Sequence, residues 1–260
     1  MTSKRHLACI TLAALGLLTC TAPVRAVQFR LVAWDTQDSN LQFDAHGAPT
    51  EVQASTNVLS PQYESKGSGP IILYKRVEHE GKPRKQVACT VDIPAGLEQG
   101  LLLLIPGDDS KTVDRKVLPD SLGFISPGAP LIYDYVWLDD SPSAHPPGTI
   151  EFRNMASLPI AFKIEQQQCM LAPKDKIQVP LITGARQMSF RAAAAMIDGK
   201  WKVFACNPLA TNGPERMLVI IRDGPAAKNV SGEPNISVVR LYDWPAPPKP
   251  APADLASSTR

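Results

Sequence analysis

The chain has 260 residues, of which 44% are hydrophobic and 20% charged, and its formal net charge is +2. The hydrophobic fraction excludes a wholly disordered chain, and the near-zero charge gives no electrostatic reason to expect binding to nucleic acid or anionic lipid. Proline is unusually frequent, with 25 residues, which disfavours long helices and favours short strands joined by turns.

Residues 1–26 have the parts of a secretory signal peptide. A basic start and a short apolar run (7–19) precede Val24-Arg25-Ala26, whose small residues suit signal peptidase. We therefore expect export to the periplasm or the cell surface. Two alternatives stay open: an uncleaved N-terminal membrane anchor and a lipoprotein attached through Cys20. No later segment is apolar over ~18 residues, so no transmembrane span is expected in the mature chain.

Strands are predicted from the start of the mature chain. Val27, Phe29, Leu31 and Ala33 occupy alternate positions, and this period of two is typical of strands buried on one face. The same alternation occurs in 149–154 and 160–165.

Two segments, residues 71–108 and 190–223, share four features in the same order. Each has a strand-like apolar run, an acidic-Gly-Lys turn, a strand ending in Ala-Cys, and a Pro- and Gly-containing loop before a continuous apolar run. This order favours an internal duplication. The final runs, 101–105 and 217–221, are apolar at both parities, so we expect central strands covered on both faces.

Residues 119–147 are rich in Pro and Gly and are predicted to connect the halves. They contain one strand-like run, YDYVWL, which is expected to begin the second half or to lie between the two. Residues 191–197 contain four alanines and could form a helix. A strand is preferred there because the matching residues 71–77 are rich in β-formers.

These patterns predict an all-β protein with two tandem antiparallel β-sandwich domains of immunoglobulin-like type, 27–118 and 148–243. The tail 244–260 is rich in Pro and Ala and is predicted to be disordered, with polyproline character. The segment TIEFRNMASLPIAFKIEQQQCMLAPKDKIQVPL (149–181) resembles the opening of immunoglobulin-like domains in bacterial envelope proteins. The whole chain is similar to exported bacterial proteins with duplicated β domains, a resemblance that implies no particular activity.

Cleavage after residue 26 leaves three cysteines, Cys89, Cys169 and Cys206. An odd number cannot form a complete disulfide framework. One bridge is possible, and Cys169–Cys206 is the preferred pair because both lie in the second half. The alternative is that all three are small buried hydrophobic residues.

The sequence contains no recognised catalytic or nucleotide-binding motif, and no catalytic residue, cofactor or metal site is predicted. His46, His79 and His145 lie in loop-like segments and are expected at the surface. Asp35, Asp38 and Asn40 lack the ligand spacing of a calcium loop. The pairs Asp108-Asp109 and Asp139-Asp140 are expected in turns, where carboxylates bond nearby backbone.

Aromatic side chains are the main candidates for a ligand site. Tyr133, Tyr135 and Trp137 fall on one face of the YDYVWL strand, and they would form a binding platform if that face were exposed or part of a core if it were covered. Trp201 alternates with Val203 and is expected in the core.

The sequence favours a non-enzymatic, exported structural or protein-interaction module of the bacterial envelope. An exposed edge strand or the Tyr133–Trp137 face would contact an envelope protein or polysaccharide. One alternative is a carbohydrate-binding module that uses those aromatic rings. A second is a hydrolase with an unrecognised site at the domain junction, where Asp139, Asp140 and His145 would meet in one pocket.

Overall fold

The computed structural model describes residues 26–34, 38–45, 47–66, 69–107, 131–182, 184, 186–195, 199–211, 216–224 and 235–243. Within these ranges the chain forms strands and no helix, so the predicted all-β class is confirmed. None of the described residues belongs to a helix that could cross a membrane. Residues 1–25, including Cys20, and the predicted tail 244–260 lie outside the described residues. So do His46, Asp35 and the pair Asp108-Asp109.

The strands are β1 (Val27–Ala33), β2 (Asp38–Ala45), β3 (Ala48–Ala54), β4 (Tyr63–Ser65), β5 (Ile71–His79), β6 (Lys82–Val91), β7 (Gln99–Pro106), β8 (Tyr133–Asp139), β9 (Thr149–Asn154), β10 (Ile160–Ile164), β11 (Gln167–Leu171), β12 (Lys176–Pro180), β13 (Gln187–Met188), β14 (Phe190–Ala195), β15 (Trp201–Ala205), β16 (Leu209–Ala210), β17 (Arg216–Asp223) and β18 (Ile236–Asp243).

Most strands belong to four sheets of four strands each. The first half of the chain forms the sheets β3-β2-β5-β6 and β4-β1-β7-β8, and the second half forms β11-β10-β14-β15 and β12-β9-β17-β18. The orders coincide when β1 to β8 are matched in turn with β9, β10, β11, β12, β14, β15, β17 and β18. The strands β5, β6 and β7 and their matches β14, β15 and β17 are those that carry the sequence repeat.

Two of the sheets are mixed, which corrects the expectation of purely antiparallel sandwiches. The strand β1 pairs in parallel with β7, and β9 pairs in parallel with β17. Between β1 and β7 the chain crosses to the other sheet and back twice, so the two paired strands are not joined by a tight hairpin, which would force them to run antiparallel.

Alternating apolar residues form one core between the sheets of each half, giving a β-sandwich-like arrangement. The first core includes Phe29, whose ring meets Phe43 edge-on at 5.4 Å between centroids. The second is centred on Phe152, whose ring stacks on Phe162 at 4.4 Å and on Phe190 at 5.6 Å. These packing contacts keep β14 extended despite its four alanines, because tertiary packing overrides helix propensity.

A third apolar layer joins the two halves. It contains Val32, Leu101, Leu103 and Leu138 from the first half and Leu218, Ile220, Val239 and Leu241 from the second. The sheets β4-β1-β7-β8 and β12-β9-β17-β18 therefore pack face to face, and each has a core on its other face. This arrangement confirms that 101–105 and 217–221 lie in central strands covered on both faces.

The turn between β5 and β6 follows the sequence signal directly. Glu80 and Gly81 both have positive φ, at 53° and 70°, as a two-residue type I′ turn requires. In the second half, Gly199 has φ 77° at the matching position.

The YDYVWL strand, β8, belongs to the first half. It pairs antiparallel with β7 from Gly100↔Asp139 to Pro106↔Tyr133 and forms the edge of that sheet. The sequence analysis left open that this strand begins the second half. In the second half, the edge position that corresponds to β8 is occupied by β18.

Candidate functional site

The predicted aromatic face is covered. Tyr133 is buried in the first core, and Tyr135 and Trp137 are half-buried against it. Their polar atoms bond to the protein: the Tyr133 hydroxyl donates to Asp38 at 2.8 Å, and the indole N–H of Trp137 donates to the carbonyl of Asp92 at 2.7 Å. These three side chains are core residues here and do not form an open platform.

Asp140 and His145 are both buried and contact the same side chain, because Nη1 of Arg216 donates to both of their backbone carbonyls, whereas Asp139 does not share this burial. Asp139 is exposed and its carboxylate accepts a 3.0 Å hydrogen bond from the backbone N–H of Ser141. The buried carboxylate of Asp140 accepts a 3.1 Å hydrogen bond from Arg30 and lies 3.6 Å from the guanidinium of Arg216. His145, expected at the surface, is only 4% exposed.

A charge-balanced cluster joins the two halves beside the apolar layer. Arg30 of β1 donates to Asp140 and, at 2.7 Å, to Asp243 at the end of β18. Arg216 at the start of β17 donates to the same Asp243 carboxylate at 2.9 Å and to the Asp140 carbonyl at 3.0 Å. Because both arginines bond across the junction, the cluster fixes how the two halves are oriented.

Burial shapes the titration of this cluster. Burial alone would raise the pKa of Asp243, but hydrogen bonds from Arg30 and Arg216 outweigh it and hold that pKa below its ordinary value. Burial lowers the pKa of His145; the negative charge of Glu151 opposes this shift without reversing it. The neutral imidazole is therefore favoured at this junction, and within the described residues its Nε2 atom has no hydrogen-bond partner.

The possible Cys169–Cys206 bridge is absent. All three cysteines are free, with Cys89 and Cys169 buried and Cys206 exposed. Cys169 is on edge strand β11 and Cys206 follows β15 at the opposite edge, so β10 and β14 lie between them. Three strand spacings amount to about 14 Å, and a disulfide needs Cα atoms within about 7 Å.

An exposed apolar surface lies on the outer face of the sheet β11-β10-β14-β15. Among the described residues, five large apolar side chains are well exposed, and Met170 (70%), Val203 (46%) and Trp201 (45%) belong to this face. Grouped exposure of this kind is typical of interaction surfaces, whereas single exposed apolar residues are common everywhere. The expectation that Trp201 lies in the core is wrong.

Cross-strand register gives this surface the shape of a trough. One row of paired residues runs Met170, Ala161, Ala193, Val203 across the four strands. Two small side chains thus lie between two large ones, whose Cα atoms are about 14 Å apart. An open depression of about 590 Å³ lies over this row and is also lined by Lys163 and Arg191. We call the whole apolar surface the alanine trough. Its floor is Ala161, Ala193 and Ala195 and its walls are Met170, Val203 and Trp201, with Ala195 and Trp201 paired in the row beyond the depression.

Two cations lie at one end of the floor. Lys163 and Arg191 are direct cross-strand neighbours in the row next to Ala161 and Ala193, and both are exposed. No residue that the structure describes forms an ion pair with either. Directly opposed like charges destabilise a sheet. Glu165 follows β10 in a turn and lines a depression together with both cations, and its carboxylate accepts a hydrogen bond from the backbone N–H of Ser189.

The matching face of the first half is different. There Tyr74 is buried, with its hydroxyl donating to Asp44 at 2.6 Å, while Lys85 pairs with Asp44 at 2.9 Å and lies 4.3 Å from the Tyr74 ring centre. Lys85 and Asp44 are paired with each other, and Lys85 covers the Tyr74 ring. The same sheet position therefore carries a closed polar face in one half and an open apolar face in the other.

Sequence patterns gave part of this site. The alternation in Phe190–Ala195 places Phe190, Ala192 and Ala194 on one face, which is the buried one, and leaves Arg191, Ala193 and Ala195 on the other. The exposure of the second face could not be read from the sequence, because alternation identifies residues that share a face without showing what covers them.

No family model and no curated protein matches this chain. Among solved structures, a non-hemolytic pneumolysin from Streptococcus pneumoniae strain ST306 matches with a TM-score of 0.27 and 12% sequence identity, over 47% of this chain and 32% of that one. The match thus spans about a third of that protein, and at this TM-score it carries no argument about fold or function.

Proposed function

We propose that this protein is a non-enzymatic, exported interaction module of the bacterial envelope, and that the alanine trough is its contact surface for a protein partner. The observation that carries the proposal is the grouping of Met170, Val203 and Trp201 on one open sheet face, beside two cations that form no ion pair with any described residue. A solvated sheet face normally carries polar side chains, so an open apolar one favours a binding role.

We also propose that the chain consists of two tandem immunoglobulin-like sandwiches. The repeat between 71–108 and 190–223 and the matched strand orders of the halves support this reading. In this arrangement the buried layer and the Arg30–Asp243 contact make the first half a rigid support for the second. A support of this kind would hold the trough at a fixed orientation toward its partner.

The test uses residues 27–260 immobilised and exposed to the host envelope, separated into protein and polysaccharide fractions. Met170→Lys and Val203→Lys place a charge on the trough walls. Val58→Lys is the matched control, because Val58 is 64% exposed but lies outside the trough. We expect a protein retained by the wild type and by Val58→Lys, and lost with both wall variants.

Two outcomes would contradict the proposal. Retention that is equal in the wall variants and the control would exclude the trough as the contact surface. Retention of polysaccharide alone would favour a carbohydrate-binding module, for which the half-exposed Trp201 ring is the available stacking surface.

Export is tested separately by the intact mass of the protein isolated from the host. A mass that begins at Val27 agrees with cleavage after residue 26. A lipid-modified mass that begins at Cys20 would replace the secreted form with a lipoprotein.

A further inference from the structure

The alanine trough has a chemistry that defines its partner more closely. We propose that it binds an apolar protein segment that carries an acidic side chain at one end of its apolar residues, with that carboxylate lying between Lys163 and Arg191. This inference rests on the proposed function, since it assumes that the trough is a protein contact surface.

The acidic group of the partner is inferred from the pair of cations, Lys163 and Arg191. Lys163 and Arg191 are opposed across one strand pair, so their Cβ atoms are about 5 Å apart, and both charged groups can reach a single carboxylate. A bound anion would relieve their mutual repulsion. On the matching face of the first half, Lys85 is already paired with the carboxylate of Asp44.

The apolar residues of the partner are inferred from the floor of the alanine trough. From the cation pair, Ala161 and Ala193 form the next row, and Ala195 with Trp201 forms the row beyond it. Rows on one face repeat about every 6.7 Å along a strand, so the apolar surface extends about 13 Å from the cations. On the other side of the cations, the carboxylate of Glu165 lines the same depression as Lys163 and Arg191. An acidic partner group is therefore favoured at the cations and repelled beyond them.

The open shape favours a protein segment over a free small amphiphile. A small-molecule site encloses most of its ligand, whereas the trough covers a ligand from below and at two sides only. A segment held by a larger partner can bury one face here and keep the other against its own protein.

The test measures fluorescence anisotropy of three labelled peptide pools against the protein of residues 27–260. The pools share degenerate apolar positions (Ala, Val, Leu, Phe) and differ at one flanking position, which is Glu, Gln or Lys. We expect the wild type to bind the Glu pool about fivefold more tightly than the Gln pool, as for an exposed ion pair, and the Lys pool least.

A charge-reversed protein provides the control. Lys163→Glu combined with Arg191→Glu keeps two like charges opposite each other and so retains the repulsion between these two positions, with Glu165 as a third nearby carboxylate. This variant should prefer the Lys pool. Arg76→Gln removes an exposed strand arginine from the first half and should leave the preference for Glu unchanged.

Three results would overturn the inference. They are equal binding of the Glu and Gln pools, an unchanged preference in the charge-reversed protein, and no binding of any pool up to about 1 mM protein. If the pools bind equally and Met170→Lys abolishes all binding, the trough is still an apolar contact surface and only the acidic partner is wrong.

Discussion

Neighbouring residues of β17 offer a direct test of how the two halves are joined. Ile220 (1% exposed) lies in the layer between the halves, and Ile221 (0%) lies in the core of the second half. Replacing either by Ala removes three carbon groups, worth ~0.8 kcal/mol each in lost burial. With the cavity left behind, each change should cost about 3 kcal/mol of unfolding free energy.

The two losses should be felt in different places. Ile220→Ala weakens contacts to Leu103 and its neighbours in the first half, whereas Ile221→Ala weakens contacts within the second. Hydrogen–deuterium exchange followed by mass spectrometry separates these cases. We expect Ile220→Ala to speed exchange in β7 and β8 as well as in β17, and Ile221→Ala to speed it mainly in the second half.

Equal exchange patterns for the two variants would refute the reasoning. Exchange in β7 and β8 of Ile220→Ala that equals the wild-type rate would also refute it, because it would show that the second half does not stabilise these two strands. Urea unfolding of both proteins supplies the check that the free-energy losses are similar.

Three further predictions concern the junction and the first core. Arg30→Met leaves the buried Asp140 without its main partner and should cost about 3 kcal/mol, as measured by urea unfolding; a loss below ~1 kcal/mol would contradict the role given to the cluster. His145 has a folded pKa below its unfolded value, so the unfolded chain binds the proton first and stability should fall as the pH drops below about 6.5. His145→Gln should flatten that fall in thermal melts between pH 7 and 5, and an unchanged slope would argue against it. At Gly100 an added Cβ would lie 2.7 Å from the Trp137 ring. Gly100→Ala should therefore displace the indole and lower the unfolding free energy by ~1–3 kcal/mol. An unaltered near-ultraviolet circular dichroism spectrum would show that the ring is not packed against Gly100.

Asp243 adds an acid-range expectation. Its folded pKa lies below its unfolded value, so its stabilising contribution is complete above about pH 4 and is lost as the pH falls through the folded pKa. Arg30→Met should make this acid loss smaller, because one of the two guanidinium partners is gone. Unfolding free energies measured between pH 5 and 3 for both proteins decide the point.

The sequence by itself predicted several of the strands and which of their residues share a face. Alternation predicted β1, β9 and β10, and the positive-φ turn before Lys82 follows from Glu80-Gly81. Apolar residues at both parities marked β7 and β17 as covered on two faces, because a solvated face would carry polar side chains.

Only the tertiary structure determined which part of the chain covers each strand face. The second face of β17 is buried by the other half of the chain, and the aromatic face of β8 is buried by the first core. The same patterns occur in the alanine trough, where Trp201 and Val203 alternate as core residues do but face solvent. Alternation in the sequence shows which side chains share a face. Whether that face is buried depends on a second sheet, formed by residues distant in the chain, that packs against it.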